Sequence, residues 1–242
     1  MGDAANITTR LVSWLQEKVE EAGAQGAVVG LSGGVDSAVV AGLCARAFGE
    51  RTLGLILPCH SQPQDVEDAL AVARTFRIPY KVIPLEEVYD LLVWHLDPEI
   101  QIRPGDLALA NIKPRLRMIA LYYYANRRNY LVVGTGNRSE LAVGYFTKYG
   151  DGGVDLLPLG NLVKRQVYEL AAYLGVPERI LRKPPSAGLW AGQTDEGEMG
   201  LTYAELDEYL LTGKARPEVQ EAVARMARAS EHKRRLPLIP PA

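Results

Sequence analysis

Four short apolar runs, GAVVGL, TLGLILP, YKVIPL and YLVVGTG, alternate with segments of helical period from Gly26 to Gly136. Each run is long enough for a buried strand and too short for a buried helix, while SAVVAGLCARAF, DVEDALAVARTF and EEVYDLLVWHL between them suit helices. Such alternation predicts an α/β fold: a doubly wound, mostly parallel sheet with helices on both faces and right-handed crossovers. Ligands of such sheets sit at the carboxyl ends of the strands.

An amphipathic helix over residues 7–21 precedes the first strand, with Leu11, Val12, Leu15 and Val19 at helical spacing. Asp65 opens the helix after the second strand, where a carboxylate suits the positive end. A helical stretch from Leu107 to Arg128 follows the turn RPGD and contains Pro114, which predicts a kink or a restart there. Beyond the fourth strand come the loop TKYGDGGVDLLPLGN, the helix VKRQVYELAAYLG and the long segment KPPSAGLWAGQTDEGEMG, read as a loop without an element of its own and as a lid. Helices at 202–211 and 217–233 close the pattern. The whole, 1–242, reads as one domain, with residues 202–235 packing near the site.

The first strand runs into LSGGVDS. Gly33 and Gly34 let the backbone turn sharply and approach a ligand, and the amides opening the next helix point at an anion, most naturally a phosphate. The P-loop lysine pattern is missing and the spacing breaks the dinucleotide fingerprint. A glycine turn that merely caps a helix is the plainer alternative, but the strand–loop–helix setting favours a ligand. Asp36 would repel a phosphate unless a cation lay between them, so the loop implies a Mg²⁺–nucleotide site.

Composition removes several other functions. The 242 residues carry a formal net charge of −2, which argues against nucleic acid or an anionic membrane as the main partner. Residues 26–48, the most apolar region, are interrupted by Ser32, Asp36, Ser37 and Arg46 and make a poor membrane span. Two cysteines give no disulfide framework, and with no signal pattern at the start a cytoplasmic setting fits best.

SGGVDS resembles the pyrophosphate loop of the N-type ATP pyrophosphatases, which have an adenine nucleotide alpha hydrolase-like fold. NIKPRLRM, GTGNRSE, TKYGDGG, LVKRQVYELA, KPPSAGL and EHKRRLP follow in the order of the NAD synthetase family, from about residue 25 onward. That resemblance implies a ligase that uses ATP and Mg²⁺ to adenylate deamido-NAD, then ammonia to form NAD, releasing AMP and pyrophosphate. It implies ATP contacts from Gly30, Leu31, Ser32, Gly33, Gly34, Val35, Asp36 and Ser37, and from Thr135, Lys164 and Ser186. Asp36 and Glu140 would ligate Mg²⁺ and, with Lys164, form the catalytic group. Arg115, Lys148, Asp155, His232 and Lys233 would bind deamido-NAD.

Lys164 begins a helix, beside the positive dipole end, a local conflict that suits a residue placed for a ligand. Arg115 and Arg117 cannot share a helix face. The resemblance assigns substrate to Arg115 and leaves Arg117 a structural ion pair. Cys59 and His60 read as pocket lining, Cys44 and His95 as packing residues, and LYYY at 121–124 as core plus the interface of a homodimer. Ile56 stands where many bacterial relatives have arginine, so adenine contacts are not assigned there. Glutamine-using relatives add a nitrilase-like domain; none is expected here, which leaves free ammonia or a separate glutaminase chain as the source. Two alternatives stand beside this reading: a GMP synthetase-like enzyme, and a nucleotide-binding regulator without catalysis.

Overall fold

The computed structural model describes residues 2–101, 103, 105–190 and 192–240. In chain order the first elements are α1 (Gly2–Glu21), β1 (Ala27–Gly30), α2 (Val35–Phe48), β2 (Thr52–Ile56), α3 (Pro63–Thr75), β3 (Tyr80–Val82) and α4 (Glu86–Leu96). Then come α5 (Leu107–Ala110), α6 (Ile112–Arg128), β4 (Leu131–Val133), α7 (Arg138–Val143) and α8 (Lys164–Leu174). The series closes with α9 (Glu178–Leu181), α10 (Asp195–Met199), α11 (Tyr203–Thr212) and α12 (Pro217–Ala229).

The four strands pair in the order β3-β2-β1-β4, all parallel, as the alternation predicts. Strand side chains alternate between faces. Ala27, Val29 and Leu31 pack with α1, α2, α3 and α8, while Val28, Leu53 and Leu55 pack with α4 and α6. A parallel bridge from Val133 to Leu156 extends the sheet past β4. The chain leaves β1 toward β2 on one side and reaches β4 on the other, so the crevice where ligands bind opens at the carboxyl ends of these two strands.

A third apolar cluster joins Val143 of α7 to Leu206 of α11 and Val219 and Val223 of α12. α11 also packs on α8, so this C-terminal layer lies against the start of α8. Gly144 permits the close approach. Its φ is +70°, and a Cβ there would lie 2.0 Å from Ser230 Cβ, just beyond α12.

Several expectations are corrected. The first helix begins at Gly2, not at residue 7, and the helix carrying Asp65 begins two residues earlier, at Pro63. The 107–128 stretch is two helices that part at Asn111. Pro114 falls in the first turn of α6, where its missing N–H is one the helix would not have used. The segment 183–200 contains α10, started by the Thr194 hydroxyl accepting from Gly197 N. The last helix ends at Ala229, followed by a 3₁₀ turn, Glu231–Lys233. His95 is exposed, whereas Cys44 is fully buried, as expected. Among the described residues, no helix is long and apolar enough to cross a membrane.

Candidate active site

The loop from β1 to α2 is built for a close-lying ligand. Gly33 has φ +79°, and a Cβ on it would meet Asp65 O at 2.4 Å, so only glycine fits between the loop and α3. The Ser32 and Ser37 hydroxyls lie 3.0 Å apart, and Ser37 Oγ donates to Gly34 O at 3.0 Å, which fixes the turn. α2 starts without a side-chain cap, leaving its first amides for an anion.

Three charged side chains from three elements meet at the edge of this loop. Lys164 Nζ lies 2.6 Å from Asp36 Oδ2 and 3.4 Å from Glu140 Oε1. Asn137, which sequence reasoning missed, ties the two carboxylates together. Its Nδ2 donates to Asp36 Oδ1 at 2.9 Å. Its Oδ1 accepts from Glu140 N, and Glu140 Oε2 accepts from Asn137 N, a reciprocal cap at the start of α7. Asn137 is wholly buried.

Lys164 is itself anchored: its N–H donates to Ser139 Oγ and Asp207 Oδ1, and its ammonium lies 4.8 Å from the Tyr203 ring centre. Asp207 lies in α11 and caps α8, which answers the dipole conflict at Lys164. Burial opposes the charge on Lys164, but Asp36 and Glu140 outweigh it and hold its pKa above the ordinary lysine value. Burial, then the Asp36 charge, pushes Glu140 above the ordinary carboxylate range despite Lys164. Glu140 therefore favours its protonated form when no cation is near, and a cation set beside the two carboxyl groups would displace that proton.

That donor set fits Mg²⁺, which accepts one or two protein carboxylates and takes its other ligands from phosphate and water. Among the described residues, no group of three or more metal-ligating side chains forms a dedicated cage.

These groups border a cavity of about 850 Å³, the size of a nucleotide pocket. Gly30, Leu31, Ser32, Gly34, Val35, Asp36, Ser37, Thr135, Glu140, Lys164, Ser186 and Lys233 all line it; Gly33 stands behind the wall. Ser186 Oγ donates to Gln193 O at 2.8 Å, so its hydroxyl also braces the 183–200 segment.

Arg115, Lys148 and His232 lie outside that wall but come together. Arg115 Nη2 reaches Lys148 O at 3.5 Å, and Lys148 Nζ donates to His232 O at 2.6 Å. Lys233 Nζ donates to Gly144 O and Phe146 O, both at 2.8 Å. Asp155 stands apart, its Oδ2 accepting from Val132 N at 2.7 Å and its Oδ1 from Tyr122 OH at 2.9 Å.

Two further sequence readings are corrected. Cys59 lies in the core with its Sγ toward Leu85 O, and exposed His60 donates from Nε2 to Asp90 Oδ1, 2.7 Å away; neither lines the cavity. Arg117 forms no ion pair among the described residues and lines the cavity instead.

A crevice of this kind defines the doubly wound nucleotide-binding α/β proteins. Comparison narrows the class: the family model for NAD synthase matches residues 7–237, and the chain belongs to that family. The NH(3)-dependent NAD(+) synthetase of Carboxydothermus hydrogenoformans is 59% identical over 233 residues, covering 96% of each chain. Among solved structures, the NMN synthetase of Francisella tularensis superposes with a TM-score of 0.92 at 43% identity, covering 98% of each chain. The NH3-dependent NAD synthetase of Campylobacter jejuni gives 0.80 at 33% identity, over 98% of this chain and 99% of its own. Family membership sets aside the GMP synthetase-like alternative.

Proposed function

We infer that this chain uses ATP to amidate deamido-NAD to NAD with ammonia, releasing AMP and pyrophosphate. The observation that carries the reading is the meeting of Asp36 and Glu140 on Lys164 beside an uncapped phosphate loop, in a chain of the NAD synthase family.

The loop amides, Ser32 and Ser37 hold the ATP phosphates, with Thr135 and Ser186 on the same wall. Lys164 stays protonated and offsets charge on the departing pyrophosphate, an electrostatic contribution. Asp36 and Glu140 would hold Mg²⁺, whose charge, when bound, adds to that stabilisation. The nicotinate carboxylate attacks the α-phosphorus, pyrophosphate leaves, and ammonia then displaces AMP at the acyl carbon. The departing AMP phosphate can take the proton shed in that step. Asp195 stands on the cavity wall, its Oδ1 buried without a partner among the described residues. Its Oδ2 accepts from Tyr203 OH at 2.9 Å, and burial pushes its pKa up despite Tyr203 and Lys164.

The cluster of Arg115, Lys148, His232 and Lys233 is the proposed seat of deamido-NAD. Asp155 joins it by resemblance alone, its carboxylate being engaged at β4. A homodimer is proposed from Leu91, Trp94 and Leu96 of α4 with Ile119 and Tyr123 of α6, large exposed apolar side chains on two helices that pack together. Two buried free thiols support a reducing cytosol as the compartment. The chain is read as a single synthetase domain supplied by free ammonia.

A second reading, formation of NMN from the corresponding nicotinate mononucleotide, is favoured by the 0.92 superposition on the Francisella enzyme. One assay separates them: the purified chain with ATP, Mg²⁺ and ammonium, given deamido-NAD or the mononucleotide. NAD, AMP and pyrophosphate, with the higher kcat/KM for deamido-NAD, are the outcome of the first reading. ADP and phosphate would contradict both. Glutamine in place of ammonium should be inert; turnover with it would refute dependence on free ammonia.

A further inference from the structure

Four cations line the cavity among the described residues: Arg117, Lys164, Lys183 and Lys233. Lys164 is neutralised by Asp36 and Glu140, and Lys183 by Asp65 and Asp68. Lys233 belongs to the proposed deamido-NAD cluster. Arg117 has only neutral partners: Nε donates to Leu57 O at 3.0 Å and Nη2 to Ser61 Oγ at 3.3 Å. Its Nη1 has no partner among the described residues.

A guanidinium carries five N–H donors in a planar fork matched to two oxygens of a carboxylate or phosphate. Two bonds to the loop that follows β2 fix the plane of that fork and leave its remaining edge for a ligand. A part-buried cation with no carboxylate at ion-pair distance is costly, and burial presses the Arg117 pKa down against the more distant charges of Asp151, Asp65 and Glu86. An anion arriving in the cavity offsets that cost.

We propose that Arg117 is an oxyanion receptor of this cavity, its open Nη edge binding a phosphate of ATP or the carboxylate of the acyl nucleotide. The inference rests on the reading of the cavity as the site of ATP and deamido-NAD. Arg117 is thereby a substrate-binding residue beyond those assigned by resemblance, two positions from Arg115 on a different side of α6. Its bonds to Leu57 and Ser61 are the support that aims it.

The test uses the full chain, Arg117→Gln, Arg117→Lys and Ser61→Ala, with calorimetric titration of Mg–ATP, deamido-NAD and NAD. Deamido-NAD and NAD differ in the group that is a carboxylate in one and a neutral amide in the other. If the carboxylate is the ligand, Arg117→Gln weakens deamido-NAD by about tenfold or more and leaves NAD unchanged. If a phosphate of ATP is the ligand, Mg–ATP weakens by a similar factor while the ratio of deamido-NAD to NAD holds. In either case Arg117→Lys recovers part of the loss, and Ser61→Ala, which removes a support and no ligand contact, loses less than Arg117→Gln. Unchanged affinity for Mg–ATP together with an unchanged ratio in Arg117→Gln would overturn the inference, as would equal losses for all three ligands accompanied by a lowered melting temperature. Failure of the unaltered protein to bind ATP and deamido-NAD would instead overturn the reading of the cavity.

Discussion

At the scale of single residues, the site is organised by a charge imbalance. Asp36 and Glu140 share Lys164, and Asn137 holds the pair in register although it touches Asp36 across 101 positions of sequence. Asp36→Asn keeps the shape and removes one of two competing charges. It should leave the ligand-free melting temperature unchanged or raised while kcat falls by about 10²-fold or more. Thermal melts beside steady-state rates check this; a lowered melting temperature would show that the carboxylates do not strain one another. Asn137→Ala removes the shared support and should lower stability by about 1–3 kcal/mol, as a buried acceptor and donor lose their partner. Urea denaturation measures it, and no change would mean that Lys164 alone orders the carboxylates. Asp36 was legible in the sequence because it lies in a glycine-bearing turn between a strand and a helix, whereas Glu140 was reached through the resemblance carried by GTGNRSE. The bond from Asn137 to Asp36 and the place of Arg117 in the cavity were not legible, because those partners come from other parts of the chain; only the cap that Asn137 makes with Glu140, three residues on, leaves a local pattern.

At the scale of elements, periodicity located the strands and helices that carry the site, and missed what tertiary contacts decide. α10 is five residues long and begins at the Thr194 cap, with nothing periodic to announce it. The break between α5 and α6 falls at Asn111, ahead of the proline that signalled it. Cys59 and His60 follow β2 by only a few residues, yet the chain turns between them, His60 adopting φ +52°, and one goes to the core and the other to solvent. α2 illustrates the opposite case: its apolar run is buried almost throughout, and Cys44 with it. Burial pushes the Cys44 thiol up to about 12, well above the ordinary thiol range. A raised folded pKa gives stability that is full below the unfolded value and is lost as pH rises through the folded one. Urea stability should therefore fall above pH 9, and the fall should be shallower in Cys44→Ala by up to about 1.4 kcal/mol per pH unit. Parallel slopes for the two proteins would contradict this burial.

At the scale of the whole molecule, the sheet places the loop after β1 and the start of α7 on one crevice; from the C-terminal side Lys233 lines it, while Tyr203 and Asp207 brace Lys164. The opposite flank, α4 with α6, is left with exposed Trp94 and Tyr123. Light scattering should give a dimer mass, and Trp94→Glu with Leu91→Glu should shift it toward the monomer; an unaltered protein of monomer mass at all concentrations would refute the dimer.

The chemistry proposed for the crevice requires that a carboxylate oxygen of deamido-NAD leave with AMP. Deamido-NAD carrying heavy oxygen in its nicotinate carboxylate, turned over with ATP, Mg²⁺ and ammonium, should give labelled AMP and unlabelled pyrophosphate, as read by mass spectrometry. Unlabelled AMP would mean that another nucleophile attacks phosphorus, and an adenylated carboxylate would have no place in the reaction.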